Sequence, residues 1–170
     1  MSATLSQARA KGPTRPALIA YAAALVAIAL DQATKYWVVY VLDLPDRFQY
    51  HLSPIFNLTM VWNDGVSYGL LRAQGWVGRW SLALFSFAVA AALAAWVWRS
   101  ARALPALGVG LIMGGAIGNA VDRARIGRVV DFLDFSGAHV FPWVFNVADS
   151  AITVGVVLLI VDSLLGERRS

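Results

Sequence analysis

The sequence predicts an all-α membrane protein: four transmembrane helices with a small extracytoplasmic β/loop element. Three observations carry that prediction. Of 170 residues, 59% are hydrophobic and 14% charged, where a soluble domain carries about 25% charged residues. Four apolar runs are long enough to cross ~30 Å of hydrocarbon. Between the first two runs lies a polar, aromatic stretch with strand and turn signals. The mean hydropathy of +0.63 agrees, and seven tryptophans suit a chain that meets lipid headgroups.

Residues 1–16 are polar, with Arg9, Lys11 and Arg15 ahead of the first apolar run. They resemble a secretory leader, but the following run is too long for one and lacks a small-residue cleavage site. The reading is a cytoplasmic tail and a retained first helix over about 17–42. That helix carries Asp31 and Lys35 in its second half. Asp43 to Gly75 is the polar connection. Within it, Ile55 to Trp62 alternates weakly and reads as a strand, and Asn63-Asp64-Gly65 is a turn signal. A connection this long is usually functional.

The second helix is expected over about 80–98, closed by Arg99 and Arg102. The third spans about 103–121, with Pro105 tolerated in its first turn. Gly110, Gly114 and Gly118 recur at four-residue spacing, which lets membrane helices approach closely. A short connection over Asp122–Phe145 leads to the fourth helix at about 146–165, and residues 166–170 form a second cytoplasmic tail. There is no internal repeat or second domain. Helices 17–165 form one unit.

With both termini inside, the inner segments hold seven basic residues (Arg9, Lys11, Arg15, Arg99, Arg102, Arg168, Arg169). The outer segments hold six (Arg47, Arg72, Arg79, Arg123, Arg125, Arg128). The short, dense inner loop tips the count towards positive-inside.

Several chemistries are excluded. The chain has no cysteine and two histidines, which removes thiol catalysis and disulfides and leaves no zinc-ligand spacing. No phosphate-binding Gly-rich loop is present. Basic residues are dispersed, so nucleic acid is not a partner.

The polar residues embedded in apolar sequence converge. Asp31 and Lys35 lie near the outer end of helix one. Asn119, Asp122 and Arg123 lie at the outer end of helix three, Asn146 and Asp149 at the outer start of helix four, and Asn63 and Asp131 in outer connections. Charges near hydrocarbon cost at least ~2.5–3.5 kcal/mol, so they carry function or have partners. Asn119, Asp122 and Arg123 share one helix face at i, i+3 and i+4, with Gly115 and Gly118 one turn earlier. That face points into the bundle.

Each candidate has a plainer reading. Asp131 sits among Val129, Val130, Phe132 and Leu133, a shell that raises a carboxyl's pKa; it is equally a turn aspartate. Asn146-Val147-Ala148-Asp149 has capping-box spacing, so local pattern favours Asp149 as a cap and leaves catalysis open. Asp122 and Arg123 read as a helix-end charge pair. Asp31 and Lys35 form an i, i+4 pair in the favourable orientation and read as support. Two carboxylates at one site suggest a dyad sharing a proton, one ionised to activate water and one protonated to polarise a carbonyl.

The runs Asp31-Gln32-Ala33-Thr34-Lys35, Trp62-Asn63-Asp64-Gly65, Gly114 to Arg123, Val130-Asp131-Phe132 and Phe145-Asn146-Val147-Ala148-Asp149 together resemble bacterial lipoprotein signal peptidase (signal peptidase II). The resemblance covers about 17–165 with the motifs in order. It implies a membrane aspartic endopeptidase of the bacterial inner membrane that removes signal peptides from diacylglyceryl-modified prolipoproteins, cutting just before the lipidated cysteine. It implies Asp131 and Asp149 as the catalytic dyad and Asn63, Asn119, Arg123 and Asn146 as site-lining residues. Asp31, Lys35 and Asp122 support them. No cofactor or metal is needed; the partners are lipidated prolipoprotein and membrane lipid, and the chain is expected to be a monomer. The 43–75 connection would rest on the membrane surface. Two rivals stand beside this reading: a Ser–Lys protease using Lys35 with Ser67 or Ser150, and a proton or ion carrier using the intramembrane acids.

Overall fold

The computed structural model describes residues 12–66, 71–72, 75–138 and 142–167. Four helices are long and apolar enough to span a membrane, and the chain is a multi-pass membrane protein. Helix α1 runs Arg15–Tyr36 and continues through a π-helical turn, Trp37–Val41. Thr14 caps its start, its Oγ1 accepting from the Ala17 amide at 3.2 Å. A short helix α2 (Leu44–Arg47) follows. The other spans are α3 (Gly75–Val97), α4 (Ala103–Ile126) and α5 (Val147–Glu167).

Two of these bounds correct the sequence expectation. Helix α3 begins at Gly75 rather than near residue 80. Helix α4 runs to Ile126 rather than 121, so Asp122 and Arg123 lie inside it. Charge was expected to end the helix, but both groups are buried with partners. What ends α4 is Gly127, in the left-handed region at φ 88°.

Helix α4 is central, packed by α1, α3 and α5, and small residues make this possible. A Cβ at Gly110 would collide with the Ala20 carbonyl of α1, and one at Gly115 with the Ala148 carbonyl of α5. Without a hydrophobic drive between helices in lipid, such close approach supplies the packing. Ala20, Ala24, Val97, Ala106, Val109 and Met113 form the core there.

At one end of the bundle sits an antiparallel sheet, β1 (Gln49–His51), β2 (Asn57–Asn63), β5 (Val129–Asp134) and β6 (Val144–Phe145), in the order β1-β2-β5-β6. A second pair, β3 (Gly65–Val66) with β4 (Leu71–Arg72), follows β2. The strand expected over 55–62 is therefore real, shifted to 57–63. The expected short connection after helix three instead holds two further strands. Residues 129–132 of β5 are all buried, so no polar alternation betrayed the strand. Val130 and Phe132 join Leu58, Met60, Val38 and Leu44 in a core that seats the sheet on the end of α1. Period-two geometry turns Asp131 to the opposite face.

Candidate active site

Asp131 lies mid-strand in β5 opposite Val61 of β2 and is 3% exposed. Asn63, two residues along β2, donates its Nδ2 to Asp131 Oδ2 at 3.0 Å. Asn146 donates its Nδ2 to Asp131 Oδ1 at 2.6 Å. Burial pushes the Asp131 carboxyl up to about 7, with the negative charge of Asp149 adding to the rise; the Asn63 and Asn146 donors and the Lys35 charge offset part of it. The apolar neighbours predicted that direction, but the plain turn reading fails because Asp131 is in a strand.

Asp149 stands in the first turn of α5. Its amide donates to Asn146 Oδ1 at 2.9 Å, and its Oδ2 accepts from the Asn146 amide at 3.2 Å. This is the reciprocal capping box that the spacing predicts. Capping uses only one carboxylate oxygen. Asp149 Oδ1 accepts from Asn119 Nδ2 at 2.8 Å. Capping and membership of a wider site are thus compatible at one residue.

Asn146 and Asn119 join the two carboxylates. Fully buried Asn146 donates Nδ2 to Asn119 Oδ1 at 3.1 Å as well as to Asp131. Lys35 Nζ also donates to Asn119 Oδ1, at 3.1 Å. Two donors on Oδ1 fix the Asn119 amide so that its Nδ2 faces Asp149.

Beneath them lies a buried ionic knot. Lys35 Nζ is 2.8 Å from Asp31 Oδ2 and 2.8 Å from Asp122 Oδ2. Asp31 Oδ1 accepts from the Ala148 amide at 2.9 Å, fastening the start of α5. Asp122 Oδ2 accepts from the Val130 amide at 3.2 Å, fastening β5. The Asp31–Lys35 pair is present as predicted. The Asp122–Arg123 pair is not, because Asp122 turns to Lys35 while Arg123 Nη2 donates to the Gly65 carbonyl at 2.7 Å. From there the Arg123 charge reaches Asp149, Asp131 and Asp122.

All nine residues singled out from sequence therefore meet at one end of the bundle. A family model described as Signal peptidase (SPase) II matches residues 23–165. The chain belongs to the signal peptidase II family. A lipoprotein signal peptidase of Caulobacter vibrioides is 51% identical over 157 residues, covering 92% of each chain. One of Methylorubrum extorquens is 48% identical over 151 residues, covering 87% of this chain and 86% of its own. A bacterial membrane enzyme solved by the in meso method matches with a TM-score of 0.79 at 25% identity, over 94% of this chain and 96% of that one.

Within this signal peptidase II chain, three groups escaped the sequence reading. Gln32 Nε2 lies 3.1 Å from Asp31 Oδ2 and 3.0 Å from Asp122 Oδ1; its place between two charged motif residues was the available signal. Arg79 forks onto the Arg123 and Ala124 carbonyls at 2.7 and 2.6 Å, capping α4 from a neighbouring helix. The Gly65 carbonyl holds Arg123. Backbone acceptors and a cap from another helix leave no trace in sequence.

The Ser–Lys reading finds no support. Lys35 spends its ammonium on Asp31, Asp122 and Asn119, while Ser150 donates its hydroxyl to the Asn146 carbonyl. Ser67 lies outside the described residues. The carrier reading fits poorly with acids gathered at the helix ends, since carriers bind near the midplane.

Proposed function

We propose that this signal peptidase is an aspartic endopeptidase in which Asp131 and Asp149 share one proton and a water. The observation that carries the reading is the pairing itself. Two carboxylates on different elements are bridged by Asn119 and Asn146, and one of them is raised to about 7 partly by the charge of the other. Repulsion within such a pair separates the two protonation steps, so one acid and one base coexist near neutrality. Buried Asp131 is the protonated partner. Half-buried Asp149 holds the negative charge, with the Asn119 and Asn146 donors on its oxygens.

The reaction follows from those states. Asp149 takes a proton from water, whose oxygen attacks the scissile carbonyl carbon. Asp131 donates its proton towards the carbonyl oxygen as negative charge develops there. The tetrahedral intermediate collapses when Asp149 protonates the nitrogen of the leaving segment and Asp131 takes back a hydroxyl proton as the carbonyl re-forms; the peptide bond breaks and the dyad again holds one proton. Arg123, Asn63, Asn119 and Asn146 line the site. Asp31, Lys35 and Asp122 hold its elements in place.

The substrates are prolipoproteins carrying a diacylglyceryl group, cut just N-terminal to the lipidated cysteine. That cysteine holds its bond at the membrane surface, the depth at which a dyad on helix ends lies. The chain resides in the bacterial inner membrane as a monomer, with both termini cytoplasmic and the site at the extracytoplasmic face. Trp37, Trp62, Trp76, Trp80 and Trp143 at the site end, and Trp96 and Trp98 at the other, suit the two headgroup belts. The test is Asp131→Asn and Asp149→Asn, each assayed on a diacylglyceryl-modified prolipoprotein. Each is expected to lower kcat by about 10³-fold or more, and turnover near wild type in either overturns the dyad.

A further inference from the structure

We infer that Gln32 is a positioning residue for both aspartates, the crosspiece that sets the distance between the two arms of the dyad. The inference rests on the dyad reading above. Asp31 Oδ1 holds the amide of Ala148, the residue before Asp149, and Asp122 Oδ2 holds the amide of Val130, the residue before Asp131. Each supporting carboxylate thus fastens the backbone next to one member of the dyad.

Lys35 bridges one oxygen of each carboxylate. Its three ammonium hydrogens face Asp31 Oδ2, Asp122 Oδ2 and Asn119 Oδ1. One positive charge stands between two negative ones, and its contact with Asp122 falls on Oδ2, which leaves Oδ1 for another donor. Gln32 Nε2 fills that place, 3.0 Å from Asp122 Oδ1, 3.1 Å from Asp31 Oδ2 and 3.2 Å from the Gly118 carbonyl. An amide offers two hydrogens, and here they are divided among three acceptors on two helices. A neutral donor between like charges in a low-dielectric site is costly to remove, because the acceptors left behind are buried. A shift of the Asp31–Asp122 spacing passes through Ala148 and Val130 to Asp149 and Asp131.

The site tolerates substitution on steric grounds. Gln32 lines a crevice of about 80 Å³ with Lys35, Tyr36, Tyr40, Trp62 and Asp122. A side chain of equal length therefore has an open flank and no need to repack the bundle.

The experiment compares Gln32→Met, which keeps length and loses both donors, with Gln32→Glu, which turns a third carboxylate on the knot. Both are made in the full chain and assayed on lipidated prolipoprotein, with the folded fraction measured by size-exclusion chromatography and thermal melting. Positioning predicts kcat per folded molecule lowered ~10–100-fold with KM within about twofold, Glu lower than Met, because misplaced reacting groups lose transition-state stabilisation and not ground-state binding. It also moves the pH at which activity falls on the alkaline side, since Asp131 feels Asp149 through their separation. A kcat per folded molecule within about twofold of wild type in Gln32→Met overturns the inference, as does a loss carried wholly by KM. If Gln32→Met does not fold, Gln32→Asn, which keeps the amide but withdraws it, is judged by the same criteria. Asp131→Asn runs in parallel. Turnover there overturns the dyad itself; an inactive Asp131→Asn beside a normal Gln32→Met overturns only the role of Gln32.

Discussion

The two ends of the bundle both carry ion pairs, and they differ in what those pairs are connected to. At the site end, Lys35 is 4% exposed, faces two carboxylates, and is wired through Asn119 to Asp149. At the other end, Arg102 pairs with Asp162 at 2.5 Å, and the arginine side chain is 54% exposed. That pair ties the start of α4 to the last turns of α5, while Thr14 Oγ1 on the Ser100 carbonyl and the Tyr21 hydroxyl on the Ala94 carbonyl fasten α1 to α3 and its loop. None of these bonds leads to another titratable group of the site. Charge inside an apolar chain is therefore not by itself a sign of chemistry; its wiring is.

The contrast can be broken or sharpened by substitution. The largest effect belongs to Lys35→Met, which leaves Asp31 and Asp122 facing each other without a cation. Breaking a buried pair costs about 3–5 kcal/mol. The expected result is a large drop in thermal stability together with loss of cleavage, measured by melting in detergent and by turnover. Gly110→Val comes next, since its Cβ would meet the Ala20 carbonyl of α1. Overpacking costs roughly 1–3 kcal/mol, and a lowered melting temperature with kcat per folded molecule retained is the expected signature. Arg102→Ala is the smallest. Arg102 is half exposed while Asp162 is buried, so losing the exposed partner costs about 1 kcal/mol; cleavage should stay at the wild-type level and the melting temperature fall by a few degrees.

The pH dependence of stability gives a further contrast. The Asp131 carboxyl is raised from 3.8 to about 7 by burial and by Asp149. The stability contributed by its protonated form is complete below the unfolded value. It declines as pH rises and is lost through about 7. Unfolding measured between pH 5 and pH 8 should show this decline in the wild type and a flatter slope in Asp131→Asn.

The same contrast explains how much was legible in the sequence. The four helices were readable because each is a long apolar run, and the convergence of the polar groups followed from the order of the helices alone. Motif resemblance singled out Asp131 and Asp149 as the proposed dyad, a choice that local pattern left open. The strand β5 was hidden because burial on both faces erased its alternation, while its partner β2 showed through a weak alternation and the Asn63-Asp64-Gly65 turn that follows it. The end of α4 was misjudged because Asp122 and Arg123 read as a pair closing the helix; their partners, Lys35 and the Gly65 carbonyl, come from distant segments. Gln32 and Arg79 belong to the same class. Their importance lies in long-range bonds to α4, which spacing along one helix does not disclose.

The most direct measurement is the protonation of Asp131, followed by infrared absorption of its carboxyl across pH 4–9 in the wild type and in Asp149→Asn. A shared-proton pair predicts that Asp131 titrates near 7 in the wild type and moves to lower pH in Asp149→Asn, because the repelling charge is gone. An Asp131 that titrates near 4, or whose titration is unmoved by the Asp149 change, contradicts the account.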